Sequence, residues 1–426
     1  MKILNWLRNR IWDLLLFFNH SSVKLTGNNL PLNCLNPSDD GLSGRIVVSL
    51  HRNGMLDLFL VRRLLPKVVA LTSVQWHQNF FTRWLIGGIA VTRAKDKDKK
   101  IKAENYDALE QCVKLLQEGQ AVGIAPEGTS QLGPGHLPFQ KAAARVAAKV
   151  LEVQGEVRVL PVSPVYLEAW GWRSPAELYI GRELVFKAGQ NMNEIHREIS
   201  LALEEITLKA PDFKSLMARQ AAAWELSWLR PESKRSFSDL LLESEAGLMD
   251  ELAAAYQAAH AGTPRQAAFF GAFVPGGLSE NIVNGGFSAI SRLALIMLNA
   301  LANFVRLLIG PALALSRKLR RGLTDDLNVV ALWRGLLALP LISVWLAALG
   351  LIIACWGGPL LFFIPLSLAG LSLWLEPIRL QYQARKETLE FLGPDKLGSY
   401  FAGIIAVENR YSEAKDVTEE KVQDDA

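Results

Sequence analysis

The sequence predicts an α/β fold: a mostly buried sheet flanked by helices, followed by a helical region and a C-terminal transmembrane helical hairpin. Three observations predict it. Between Arg45 and Arg182, short β-rich runs alternate with helical stretches, the pattern of a layered α/β domain. From about Asn191 to His260, Glu and Lys are interspersed among Ala and Leu, which reads as helix interrupted near Pro231. From Gly335 to Leu375 no residue is charged, a stretch long enough for two spans of about 20 residues each.

The elements follow in chain order. Residues 1–20 place Lys2, Arg8 and Arg10 around Leu4, Trp6, Leu7, Ile11 and Trp12, with no small-residue cleavage site after them. This is an amphipathic helix, lying in the headgroup region or packed on the domain, and not a signal peptide. Residues 21–190 hold the α/β domain. Its β-rich runs are Ile46 to Leu50, Val68 to Leu71, Gly88 to Val91, Ala121 to Ala125 and Val157 to Val165. Tyr106, Leu109, Val113 and Leu116 recur at helical spacing, and Gly119 supplies the stop. Trp76, Phe80, Phe81, Trp84 and Leu85 form an apolar face that rests on a bilayer, lines an acyl groove, or belongs to a core helix.

Residues 191–290 are a helical extension whose role the pattern does not disclose. Residues 291–321 are apolar but carry Arg306 and Pro311 and end in Arg317-Lys318-Leu319-Arg320-Arg321, so an interfacial segment is expected there. Residues 329–378 form the hairpin, turning at Gly357-Gly358-Pro359. Both of its flanks are basic (Arg317 to Arg321 and Arg334; Arg379, Arg385 and Lys386), which places both ends, and the α/β domain, on the cytosolic face of a multi-pass membrane protein. In the tail, residues 379–426, the acidic end after Glu413 reads as disordered.

Composition narrows the function. Of 426 residues 50% are hydrophobic and 21% charged, which fits a soluble body with membrane segments better than a polytopic transporter. A net charge of +4 gives no case for nucleic acid, although clustered Lys and Arg favour an anionic membrane surface. Cys34, Cys112 and Cys355 are far apart and show no metal-ligand spacing, which fits a reducing compartment. Neither metal nor cofactor is expected.

The residues that carry chemistry begin with His51, directly after an apolar run, and Asp57 in His51-Arg52-Asn53-Gly54-Met55-Leu56-Asp57. A histidine at a strand end is placed to meet substrate, and its unperturbed pKa of about 6.5 suits it to take a proton from an alcohol. A carboxylate bonded to one ring N–H leaves the other nitrogen free to act as base. The leaving thiolate of a thioester, with a pKa of about 8.5 for a simple thiol, needs no strong acid. No Gly-x-Ser-x-Gly elbow accompanies the histidine, which argues against a serine hydrolase.

Three further blocks follow in order: Gly87-Gly88-Ile89-Ala90-Val91-Thr92-Arg93, Pro126-Glu127-Gly128-Thr129-Ser130 and Leu160-Pro161-Val162-Ser163-Pro164-Val165. With the first, they resemble the PlsC-like phospholipid/glycerol acyltransferase family over about Arg45 to Val165. Most members have four residues between His and Asp, whereas this chain has five. That spacing resembles the glycerol-3-phosphate/dihydroxyacetone-phosphate acyltransferase branch, with Arg52 where that branch has proline. The resemblance implies a glycerolipid acyltransferase fold and the transfer of an acyl group from acyl-CoA or acyl carrier protein to a hydroxyl. The acceptor would be glycerol 3-phosphate, dihydroxyacetone phosphate or a lysophospholipid, handled at the lipid bilayer.

The same resemblance makes His51 the base and Asp57 its partner, and assigns Arg93, Glu127, Gly128 and Thr129 to the acceptor. Ser130 stands where many members have arginine. Arg93 offers a fork of donors to phosphate, and Gly128 allows close backbone approach. Glu127 either bonds glycerol hydroxyls or braces its loop. Leu137-Pro138-Phe139-Gln140-Lys141-Ala142 is similar to the family's Leu-Pro-Phe-Lys-x-Gly segment, which leaves Lys141 to reach an anion. His20, His77, His136, His196 and His260 read as structural or surface residues. A non-catalytic lipid-binding protein on the same fold is the alternative.

Overall fold

The computed structural model describes residues 2–20, 22–27, 44–65, 68–92, 101–229, 236–243, 250–251, 253–254, 289–323, 326–376 and 379, a few of them by backbone alone. Arg93, Cys34, His260, Gly276, the middle of the helical extension and the tail beyond Arg379 lie outside these residues. The chain divides into two compact units, Met1–Lys209 with Thr324–Gly335, and Ala210–Leu323 with Leu336–Ala426.

The first unit opens with α1 (Lys2–Asn19) and β1 (Val23–Thr26). Then come β2 (Arg45–Ser49), α2 (Met55–Leu64), β3 (Val68–Ser73), α3 (Phe80–Ile86), β4 (Ile89–Val91), α4 (Ile101–Gln117) and β5 (Ala121–Ile124). It closes with α5 (Ala142–Gln154), β6 (Glu156–Tyr166), β7 (Ala176–Ile180), β8 (Leu184–Lys187) and α6 (Met192–Glu205). The strands form one sheet in the order β1-β7-β6-β2-β5-β3-β4, with β8 also on β6. β6, β2, β5, β3 and β4 run parallel, whereas β7 and β8 are antiparallel to β6.

Sequence and burial agree on why this sheet forms. Ile46, Val47 and Val48 are fully buried, as are all four residues of β5. Continuous burial along a strand requires cover on both faces, the usual state of a parallel sheet. α2 packs on β1, β3, β6 and β7, while α4 and α5 pack on β2, β4, β5, β6 and β8. Each fully buried Val, Leu or Ile contributes about 1.5–3 kcal/mol. α5 ends where Gly155 enters the left-handed region (φ 75), and α6 starts at a capping box of Asn191 and Glu194. α6, read from sequence as part of the helical extension, belongs to this first unit and packs on α5 and β6.

α1 serves two surfaces. Trp12, Leu15, Leu16 and Phe18 are buried, and Trp12 stacks on Phe59 at 5.6 Å and donates to the Leu85 carbonyl at 2.8 Å. Ile3, Leu4, Trp6, Leu7, Leu14 and Phe17 remain exposed, as do Phe80 and Phe81 at the start of α3. Those two phenylalanines are therefore not core residues. Within the same unit, Arg334 ties the Thr324–Gly335 segment to Asn19 Oδ1 (2.8 Å) and to the carbonyls of Trp170 and Gly171 (3.0 Å each).

The second unit contains α7 (Phe213–Leu229), α8 (Phe237–Glu243), α9 (Ala289–Arg321), most of α10 (Leu327–Gly357) and α11 (Pro359–Glu376). Among the described residues, three stretches are long and apolar enough to cross a membrane: Arg292–Arg321, Leu327–Gly357 and Pro359–Glu376. The last two cover the residues read from sequence as the hairpin, with Gly358 between them. The first stretch was expected at the interface on account of Arg306 and Pro311, yet one helix runs through both. Arg306 meets Glu376 at 3.1 Å, and Glu376 in turn meets Arg379 at 2.6 Å. Arg306 is half-exposed and Glu376 buried, and a paired charge among apolar helices costs far less than an isolated one. That pairing, across seventy positions, has no local signature.

Candidate active site

The C-terminal ends of parallel strands are where an α/β sheet presents its ligand crevice, and His51, Asp57, Glu127, Gly128, Thr129 and Lys141 line one there. β2 ends at Ser49, and His51 follows Leu50 into the crevice. Its Nδ1–H donates to Asp57 Oδ2 at 2.8 Å. The five intervening residues are absorbed by a turn at Gly54, whose φ of 51 suits glycine. α2 then starts at Met55, which sets Asp57 in its first turn, where a carboxylate complements the helix dipole. Asp57 is buried and accepts three more bonds, from Arg52 N–H (2.7 Å), Asn53 N–H (2.8 Å) and the Tyr166 hydroxyl (2.7 Å). Four donors hold it as an acceptor, so His51 carries its ring proton on Nδ1 and offers Nε2 as a base.

The Pro126–Gln140 loop is laced to the same strand end. Glu127 is buried, with Oε1 accepting from His51 N–H at 2.8 Å and Oε2 from Leu137 N–H at 2.9 Å. Gln131 N–H donates to the His51 carbonyl at 2.9 Å. Arg52 is also buried; its Nη1 donates to the carbonyls of Gln131 (3.4 Å) and Gly135 (2.5 Å). Burial lowers the Arg52 pKa, against the opposing pull of Glu127 and Asp57. Of Glu127's two expected roles, this geometry is that of a brace, with each carboxylate oxygen engaged by a backbone N–H. Gly128 holds φ 70, and nothing lies within 4 Å of where a Cβ would stand, so backbone conformation is what calls for glycine there.

A cavity of about 1110 Å³ opens on this edge. His51, Asp57, Glu127, Gly128, Thr129 and Lys141 line it, and Ser130 is not among the lining residues. Arg93 is outside the described residues, but Thr92 before it lines the cavity. The Asn105 side chain clamps Thr92 by accepting from its N–H (3.0 Å) and donating to its carbonyl (2.9 Å). Much of the lining is apolar, including Val47, Val61, Val68, Ala70, Leu109 and Val146. Trp76 is a lining residue too.

Sequence reasoning missed several contributors. Asn105 and Tyr166 carry no motif signal, although Tyr166 follows the fourth block directly. His196, read as structural or surface, lines the cavity beside Lys141, and burial together with the Lys141 charge lowers its pKa. Lys141 itself is exposed and donates to Asn193 Oδ1 at 2.9 Å. His77 lies 2.7 Å from Thr72 Oγ1, and His136 stacks on Phe139.

Residues 25–167 match the family described as Acyltransferase. The chain carries an acyltransferase domain. The matched residues run from β1 to just beyond β6, so all four blocks and the whole His51–Asp57 arrangement fall inside the acyltransferase domain. No curated protein matches the chain. Among solved structures, it is similar to the crystal structure of the 1-acyl-sn-glycerophosphate (LPA) acyltransferase, PlsC, from Thermotoga maritima. That similarity is at 18% identity and a TM-score of 0.33, over 50% of this chain and 84% of the other.

Proposed function

We propose that this acyltransferase moves a fatty acyl group from a phosphopantetheine thioester, acyl-CoA or acyl carrier protein, to a hydroxyl of a glycerol-phosphate acceptor. The observation that carries the reading is the 2.8 Å bond between His51 Nδ1 and Asp57 Oδ2, in a cavity with a largely apolar lining. His51 Nε2 takes the acceptor's hydroxyl proton as the oxygen attacks the thioester carbonyl. Asp57 stabilises the imidazolium that forms. The tetrahedral intermediate collapses by breaking the C–S bond, and the imidazolium returns its proton to the thiolate, leaving an ester and a free thiol. Backbone N–H groups of the crevice stabilise the oxyanion.

The apolar wall suits the acyl chain, at about 0.8 kcal/mol per buried methylene. Arg93 and Lys141 are the cations for the acceptor's phosphate, by resemblance. Among acceptors, the five-residue spacing and Ser130 favour glycerol 3-phosphate or dihydroxyacetone phosphate over 1-acylglycerol 3-phosphate. The exposed apolar residues of α1 and Phe80 and Phe81 fit a bilayer surface. The three apolar helices fit a multi-pass protein whose basic flanks keep the catalytic domain on the cytosolic face.

The test is a panel of the three acceptors, each offered radiolabelled acyl-CoA and acyl carrier protein, with full-length enzyme in detergent. Labelled ester with glycerol 3-phosphate or dihydroxyacetone phosphate is the expected product. No ester with any acceptor and either donor would overturn the proposal.

A further inference from the structure

Asp57 has two oxygens with unequal duties. Oδ2 takes the His51 ring proton and the N–H groups of Arg52 and Asn53. These three donors hold one oxygen and leave the other to a single partner. Oδ1 takes the Tyr166 hydroxyl at 2.7 Å, from the end of β6, across more than a hundred positions of sequence. Tyr166 is itself buried, and its ring lies against His20, 5.4 Å between centroids. His20 is held in place by its Nδ1 on the Ser174 carbonyl (3.0 Å).

We infer that Tyr166 is the positioning residue of the catalytic pair: it fixes the plane of the Asp57 carboxylate and disperses its charge, so that the proton stays on His51. This rests on the acyl-transfer reading of the site. Without the phenol, Asp57 carries a more concentrated charge, holds the imidazolium more tightly and orients the ring less well. Two consequences follow: slower transfer, and a base that becomes available only at higher pH. The phenol is a constant donor, because burial and the Asp57 charge raise its pKa well above the usual tyrosine value. The other ionisable groups around Asp57 and Tyr166 are His51, Arg52 and Glu127 at the strand ends and His20 after α1, with Arg173 and Arg334 acting on His20.

The experiment is Tyr166→Phe in the full-length enzyme, compared with wild type on the same donor and acceptor across pH 5–9. Loss of a hydrogen bond to a charged group lowers kcat about 10- to 100-fold, with the KM of both substrates nearly unchanged. The acid limb of kcat/KM moves up by about half a pH unit. A merely structural tyrosine would move the melting temperature and leave that limb in place. Site-specific 3-fluorotyrosine at position 166 keeps the packing and makes the phenol a stronger donor, so it moves the limb the other way. The fluorinated variant also decides the matter should Tyr166→Phe fail to fold. In an Asp57→Asn background, Tyr166→Phe adds little further loss if it acts through Asp57. Wild-type kcat with an unmoved acid limb in both variants would overturn the inference. A wild-type enzyme inactive on every acceptor would instead overturn the acyl-transfer reading.

Discussion

Replacing Glu127 distinguishes a brace from a substrate ligand. Its two oxygens satisfy the N–H groups of His51 and Leu137, at 2.8 and 2.9 Å, in a buried position. Glu127→Gln keeps one acceptor oxygen and turns an amide NH2 toward the other N–H, leaving one buried donor unsatisfied at a cost of about 1–3 kcal/mol. Glu127→Ala leaves two, or about 2–6 kcal/mol, out of a total stability of about 5–15 kcal/mol for a typical domain. Arg52 loses a neighbouring anion in both variants, which adds in the same direction. At about 2–4 °C per kcal/mol for a unit of this size, Glu127→Gln should lower the melting midpoint by roughly 2–12 °C, and Glu127→Ala by more. Thermal unfolding of the purified protein in detergent reads this, with initial rates measured well below the midpoint on the same samples. Activity and stability should fall together in the order wild type, Gln, Ala. An unchanged midpoint with only the acceptor KM raised would refute the brace and make Glu127 a ligand for the acceptor.

Two further predictions concern residues around the dyad. Arg52→Lys keeps a charge but loses the rigid fork that reaches the Gln131 and Gly135 carbonyls; cleavage within Gln131 to His136 in limited proteolysis should become several-fold faster, and an unchanged digestion rate would count against the latch. His20 is fully buried, and burial lowers its pKa to about 4. Its folded value lies below the unfolded one, so the stability tied to the neutral ring is complete above about 6.5 and is lost as pH falls toward 4. At about 1.4 kcal/mol per pH unit, that gap corresponds to about 3 kcal/mol. His20→Phe should flatten the decline of the melting midpoint between pH 6.5 and 4, and an equally steep decline in the variant would refute this.

Much of the sheet was legible because parallel strands buried on both faces leave continuous apolar runs, as in Ile46 to Leu50 and Ala121 to Ala125. β1, β7 and β8 were not. β1 and β8 are only four residues long, and β7 carries Glu177 as the second residue of a fully buried strand, which breaks the pattern. His51 and Asp57 were legible through motif, and their meeting through the Asn53-Gly54 bend. Tyr166, Asn105 and His196 were not, since each reaches the site from an element distant in sequence and of ordinary composition. The same limit hid the third apolar helix: Arg306 reads as a barrier to a span until Glu376 is found beside it.

The central claim is that the His51 imidazole takes the acceptor's hydroxyl proton. Its most direct measurement is the release of free thiol from an acyl thioester, in the presence of a glycerol-phosphate acceptor, by wild type and by folded His51→Ala at equal concentration. Transfer should fall at least about 100-fold on removal of the general base, with the melting midpoint close to that of wild type. Acceptor-dependent thiol release undiminished in His51→Ala would contradict the account.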